Sequence, residues 1–160
     1  MPSISREFAE HSLQLFLDDR PMKETVHRFR KPKCDAIGKE FDRLLDAKFI
    51  REIKKSDWVA KPVLVPKKNS KILRMCVDFT SLSKLCPKDN FPLPRIDKIV
   101  DSTVGCELLS FLDAYSGYNH IRMGEEDEDK TAFITPYGVY FYTTMPFGFK
   151  NAGATYQRMM

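Results

Sequence analysis

An α+β domain with a largely antiparallel sheet is the architecture this sequence predicts, and three observations carry it. One is an apolar stripe at helical spacing within residues 37–49. Another is the presence of β-branched or alternating segments on both sides of two short turn-forming runs, 67–71 and 136–138. The third is the order of helices and strands, which lacks the regular strand–helix alternation of a parallel sheet. With 160 residues and 42% hydrophobic content, the chain can bury a core of ordinary size.

Residues 1–36 carry mixed charge and no sustained period, and they read as a basic arm or linker preceding a unit over 37–160. Within the arm, residues 20–33 hold six Lys or Arg against one Glu. In "AIGKEFDRLLDAKFI", the residues Ile37, Phe41, Leu44, Leu45 and Phe49 predict an amphipathic helix over 37–49 whose stripe is core. The runs "VAKPVLVP" and "KILRMCVDF" predict a hairpin with the basic tip "KKNSK". A helix follows in "FPLPRIDKIVDSTVG", with Pro94 in its first turn, Ile96, Ile99 and Val100 on one face, and Gly105 as its stop. "CELLSFLD" predicts a strand, "TAFITPYGVYFYTTMP" a second hairpin, and "FGFKNAGATYQRMM" a glycine turn leading into a helix capped at Asn151.

Composition also excludes some function classes. Cysteines 34, 76, 86 and 106 match no zinc spacing and read as reduced thiols; the three histidines, 11, 27 and 120, are scattered. No run approaches the length of a membrane span, and "MPSISREFAEHSLQL" lacks the features of a secretory signal, so an intracellular location without a membrane partner is expected. The net charge of +4 hides an uneven distribution, because "EEDED" at 125–129 is five acids in a row, expected to face solvent.

Three motifs carry chemistry. In "ELLSFLD", strand periodicity puts Leu109, Phe111 and Asp113 on one face, with the acid at the end of an apolar stripe. Such a carboxylate either caps the following turn or holds a divalent cation. The tip "PKKNSKILR" places Lys67, Lys68, Lys71 and Arg74 within eight residues, which suits phosphate neutralisation or a solvated turn. "MPFGFKNAGATYQ" brings aromatic faces, glycine and lysine to a helix N-terminus, where backbone N–H groups favour anions.

In order and residues, these motifs resemble the fingers and palm of a reverse transcriptase, most closely those of gypsy-class LTR retrotransposons and particularly plant elements. The resemblance covers roughly residues 37–160. "DWVAKPVLVPKKNSKILRMCVDFTSLSKLCPKDNFPLPRID" looks like the fingers segment, "ELLSFLDAYSGYNHIRM" like the first catalytic motif, and "TAFITPYGVYFYTTMPFGFKNAGATYQR" like the approach to the palm helix. What it implies is an RNA-directed DNA polymerase using two Mg²⁺ ions, with RNA or DNA template-primer and deoxynucleoside triphosphates as partners. Asp113 matches the family's first metal-binding aspartate, and Ala114 the neighbour whose carbonyl helps hold a metal. Ser116 and Gly117 fall where backbone N–H groups meet the triphosphate, Tyr118 at the aromatic gate beneath the sugar, Lys67 and Arg74 at the fingers residues that grip the triphosphate, and Phe147 and Gly148 at the nucleotide pocket.

The chain departs from the family at Thr80 and Ser83, where Arg and Asn are common, and at Gly153, where many relatives have Pro; Thr at the position of Thr80 is frequent in plant elements. It also ends before the x-Asp-Asp hairpin that carries the family's other catalytic acids. Fingers plus an incomplete palm are therefore expected, with weak or absent metal binding and no synthesis by these 160 residues alone. The remaining palm, thumb, RNase H and integrase of a Pol polyprotein are expected partners, in a cytoplasmic particle or the nucleus. Rival readings are a catalytically inactive nucleic-acid-binding remnant, a decayed reading frame, and a palm polymerase that makes RNA. The last commonly places a polar residue where Tyr118 stands.

Overall fold

The computed structural model describes residues 4–16, 18–25, 31–66, 73–110 and 116–160. Its elements in chain order are β1 (Glu10–His11), α1 (Lys31–Asp46), β2 (Ile50–Glu52), β3 (Lys61–Pro66), β4 (Leu73–Asp78), α2 (Thr80–Leu85), α3 (Ile96–Ser102), β5 (Arg122–Met123), β6 (Phe133–Thr135), β7 (Gly138–Tyr142) and α4 (Ala152–Met159), with 3₁₀ turns at Gly117–His120 and Asp129–Thr131. The mixed α+β expectation holds. A three-stranded antiparallel sheet has the order β2-β7-β6, β3 and β4 form a hairpin, and β1 pairs in parallel with β5. Ala60 and Phe133 bridge the hairpin to the sheet.

The core lies between α1 and these strands. Ile37, Phe41 and Leu44 of α1 are buried with Ile50, Met75, Val77, Phe133, Tyr140 and Tyr142. Phe41 meets Tyr140 edge-on at 4.6 Å between ring centroids, a favoured aromatic geometry. The helix begins six residues earlier than periodicity predicts, because Pro32 sits in its first turn, where a missing N–H costs nothing. Two stripe members depart from the expected pattern: Leu45, within α1, is exposed, and Phe49, though buried, lies past the helix end.

That helix end is a Schellman turn made without glycine. Lys48 takes φ 59°, the Phe49 N–H donates to the Leu44 carbonyl at 3.0 Å, and the Lys48 N–H donates to the Leu45 carbonyl at 2.9 Å. Phe49 and Leu44 are both buried, the apolar contact that accompanies this turn. A side chain at a left-handed position costs about 1 kcal/mol, so Lys48→Gly is expected to raise the unfolding free energy by roughly that amount. Urea denaturation of the two chains checks it, and an unchanged or lowered midpoint refutes it.

Residues 4–16 and 18–25, read from the sequence as part of an arm, make specific contacts with the rest of the molecule. The Leu13 N–H donates to Asp127 Oδ2 at 2.6 Å, Arg6 pairs with Glu128 at 2.8 Å, and His11 shares a 2.8 Å hydrogen bond with Thr155. The Glu24 N–H donates to the Val59 carbonyl at 2.8 Å and the Val59 N–H to the Met22 carbonyl at 2.9 Å, just before β3. The expectation that 125–129 faces solvent is corrected at Asp127, which is buried and bonded to Leu13 and Lys130. A buried carboxylate is tolerable when it is paired in this way.

Two further elements differ from expectation. Pro94 precedes α3 instead of opening it, and Ile96, Ile99 and Val100 are all exposed. Residues 106–110 form no strand, and Leu108 is 92% exposed. Among the described residues none runs alongside them to accept a ladder, and strand propensity alone does not hold an extended segment in water. The remainder of that predicted strand, including Phe111 and Asp113, lies outside the described residues.

Candidate functional site

Ser116 opens the site in a left-handed conformation, φ 53° and ψ 38°, and the chain then enters the 3₁₀ turn Gly117–His120. Ile121, fully buried, anchors the exit of that turn. The Met145 N–H donates to the Ile121 carbonyl at 2.8 Å, which brings the segment after β7 alongside the turn. As a result the rings of Tyr118 and Phe147 lie 4.9 Å apart with a 40° tilt. Phe147 remains 63% exposed, a large apolar surface beside Tyr118.

Gly148 follows at φ +103°, a conformation that favours glycine, and it reverses the chain toward α4. A Cβ at Gly148 would stand 3.9 Å from the Val77 carbonyl, so the end of β4 lies against this reversal. Arg74 is exposed three residues earlier on β4, about 10 Å along the strand. Ser116, Gly117, Tyr118, Phe147 and Gly148 are thus brought together, with Arg74 on the adjoining strand. Lys67, Asp113 and Ala114 lie outside the described residues.

A clamp positions α4. Asn151 stands at its N-cap, but its side chain makes no cap hydrogen bond. The amide instead accepts from the Asp89 N–H at 3.0 Å and donates to the Pro87 carbonyl at 2.8 Å. Lys150, expected to favour an anion here, donates to the Cys86 carbonyl at 3.0 Å. At the other end of α4, Arg158 makes a two-pronged pair with Asp89 and lies 4.7 Å over the Phe91 ring. The Arg158 hydrogen bond holds the Asp89 carboxyl below its ordinary range, helped by the Phe91 N–H.

Sequence reasoning missed Tyr156. Its ring meets Tyr118 edge-on at 5.3 Å and covers Gly117, where a Cβ would fall 2.8 Å from Cε2. The glycine itself was the available signal, since an interior glycine often marks close approach. Among the described residues, no three His, Cys, Asp or Glu side chains converge to hold a metal ion. The residues that would hold magnesium from this chain, Asp113 and the Ala114 carbonyl, are outside those described.

Comparison with known proteins accords with this geometry. Residues 65–160 match the family model described as reverse transcriptase (RNA-dependent DNA polymerase). The chain is 35% identical over 148 residues to a retrovirus-related Pol polyprotein from transposon 412 of Drosophila melanogaster, covering 89% of this chain and 12% of that protein. The Tf2-3 transposon polyprotein of Schizosaccharomyces pombe is 36% identical, with 98% and 13% covered. An RNA-directed DNA polymerase homolog of Oenothera berteroana is 40% identical over 88 residues, 55% of this chain and 62% of that one. The chain thus spans about an eighth of the length of the two polyproteins. In fold, a foamy viral protease-reverse transcriptase in complex with RNA/DNA hybrid superposes with a TM-score of 0.72 at 18% identity, over 94% of this chain and 20% of that one. The family-model match over residues 65–160 and the likeness to the transposon polyproteins point one way: the chain belongs to the reverse transcriptase family, in the gypsy-like branch carried by LTR-retrotransposon Pol polyproteins.

Proposed function

We propose that this chain supplies the fingers and the first part of the palm of an RNA-directed DNA polymerase, within the unit 37–160, and that the face formed by Tyr118 and Phe147 is one wall of a recess that receives the incoming deoxynucleotide. The observation that carries this reading is the convergence of the 116–118 turn on the Phe147–Gly148 reversal, with two rings 4.9 Å apart. An aromatic floor suits a nucleoside, while the backbone of Ser116 and Gly117 suits its phosphates. Arg74 and Lys67 would grip the triphosphate from the hairpin by charge-assisted hydrogen bonds. The reaction is attack of a primer 3′-hydroxyl on the α-phosphate, with loss of the hydroxyl proton and departure of pyrophosphate. When bound, two Mg²⁺ ions would stabilise the attacking and leaving oxygens, with Asp113 and the Ala114 carbonyl as ligands from this chain.

Template-primer is the proposed macromolecular partner. The exposed apolar residues Ile96, Ile99, Val100, Leu108 and Leu109 fit burial against further parts of a polymerase. Placement among plant elements rests on Thr80. No described helix is long and apolar enough to cross a membrane.

Tyr118→Ala in the full-length polymerase tests the reading. Removing the ring is expected to narrow the ratio of kcat/KM for deoxy- over ribonucleotides by about ten- to two-hundredfold, the range associated with excluding small extra groups from a packed site. Tyr118→Phe is expected to keep that ratio. A fall in both activities together, with the ratio unchanged, makes Tyr118 a packing residue and removes the nucleotide assignment.

A further inference from the structure

We infer that Tyr156, on α4, is a positioning residue for nucleotide choice: it backs the ring of Tyr118 and thereby sets how firmly the recess refuses a 2′-hydroxyl. The inference rests on the nucleotide-binding reading of the recess and adds a residue to it. A gate discriminates only if it cannot give way, because a ring free to shift by an ångström makes room for an extra oxygen. The stiffness of Tyr118 therefore depends on what stands behind it.

Among the described residues, two rings contact Tyr118, and they differ in kind. Phe147 lies at the rim, largely exposed, and few neighbours restrain it. Tyr156 is half-buried, packs against the main core, and meets Tyr118 edge-on at 5.3 Å with a 66° angle between planes. It is also fixed from the other side. A Cβ at Gly117 would lie 2.8 Å from Tyr156 Cε2, 2.9 Å from Oη and 3.1 Å from Cζ, so the Tyr156 ring covers the backbone of the residue preceding the gate. Gly117 does not have a positive φ, so space and not backbone conformation requires glycine there. Helix α4 is in turn held by the Arg158–Asp89 pair and by the Asn151 contacts to residues 87 and 89. Rigidity thus passes from the clamp through α4 and Tyr156 to both Gly117 and Tyr118.

Among the described residues, the side of Tyr118 facing α4 offers little other support. A Cβ at Gly153, one turn earlier, would be 4.0 Å from the Tyr118 hydroxyl, so the existing glycine leaves that side open. The backing of the gate falls to Tyr156.

Full-length polymerases carrying Tyr118→Ala, Tyr156→Leu, Tyr156→Phe and Gly117→Ala, alone and with Tyr156→Leu, decide the matter by kcat/KM for a matched ribo- and deoxynucleotide pair. Tyr156→Leu is expected to narrow the deoxy-over-ribo ratio by about two- to tenfold, the range that the energy of an aromatic pair converts to. Tyr156→Phe should keep the ratio, because the ring remains. Gly117→Ala should impair both substrates, and combining it with Tyr156→Leu should restore synthesis in part by removing the overlap. If Tyr118→Ala collapses the ratio while Tyr156→Leu leaves it unchanged, the gate stands and the positioning role is overturned. If neither variant moves the ratio, the gate reading itself fails and takes the inference with it.

Discussion

Asp113→Asn in the full-length polymerase is expected to reduce templated synthesis by about a thousandfold or more, since a carboxylate that binds catalytic metal contributes several kcal/mol to the transition state. Binding of template-primer should change little. The substitution separates the two readings of this residue, because asparagine caps a turn as well as aspartate does but carries no charge for a cation. A merely structural Asp113 therefore predicts near-normal synthesis by Asp113→Asn. Asp113→Ala would fail under both readings and decides nothing. Primer extension beside a gel shift on the same preparations gives the answer, and full extension by the asparagine variant removes Asp113 from the catalytic site. The acid ends the apolar run "LLSFLD" and stands three residues before Ser116, where the chain enters the 3₁₀ turn that carries Tyr118.

The second large effect is acid destabilisation through His11. Burial of this side chain, 2% exposed, lowers its pKa from 6.5 to about 4, against the opposing influence of the Asp127 carboxylate. The folded chain thus holds a neutral imidazole, stacked at 5.5 Å on Phe149, where the unfolded chain would take up a proton. Its contribution is fully present above pH 6.5 and is lost as pH falls toward 4, amounting to about 3 kcal/mol over that interval. Carboxylates held low behave differently. Asp78, lowered first by its hydrogen bond with Thr80, and Asp89, lowered first by Arg158, lose their contributions only as pH falls below the ordinary value of 3.8. Melting temperature measured between pH 7 and 4 should therefore fall for the wild-type chain. His11→Gln should start less stable and show a flatter profile over the same interval. Equal slopes in the two chains would assign the acid sensitivity elsewhere.

The sequence by itself determined whatever depends on short separations along the chain. The stripe Ile37, Phe41, Leu44 marked α1, and alternation around residues 67–71 and 136–138 marked β3–β4 and β6–β7. Periodicity is written into neighbouring residues, so it can be read without a fold. The five residues Ser116, Gly117, Tyr118, Phe147 and Gly148 are legible only through their likeness to family motifs, and the approach of the Tyr118 and Phe147 rings belongs to the fold, where the Met145–Ile121 backbone bond holds the two segments side by side.

Only the tertiary structure decided the rest. Leu13 and Asp127 are 114 positions apart, and His11 and Thr155 are 144 apart, so no local pattern announces that residues 4–16 brace β5 and α4. Asn151 reads from the sequence as a helix cap and does stand at the start of α4, but its amide bonds the backbone of Pro87 and Asp89 and not that of its own helix. Leu45 and residues 106–110 carry apolar character that local sequence cannot distinguish from core, since burial depends on whether a neighbour arrives. Tyr156 shows the same limit from the other side: an ordinary helical aromatic becomes the backing of a gate only because Gly117, 39 residues earlier, leaves room for its ring. Side-chain periodicity is a property of one segment, whereas occupancy of a shared volume is a property of two, and the second is settled when the chain closes on itself.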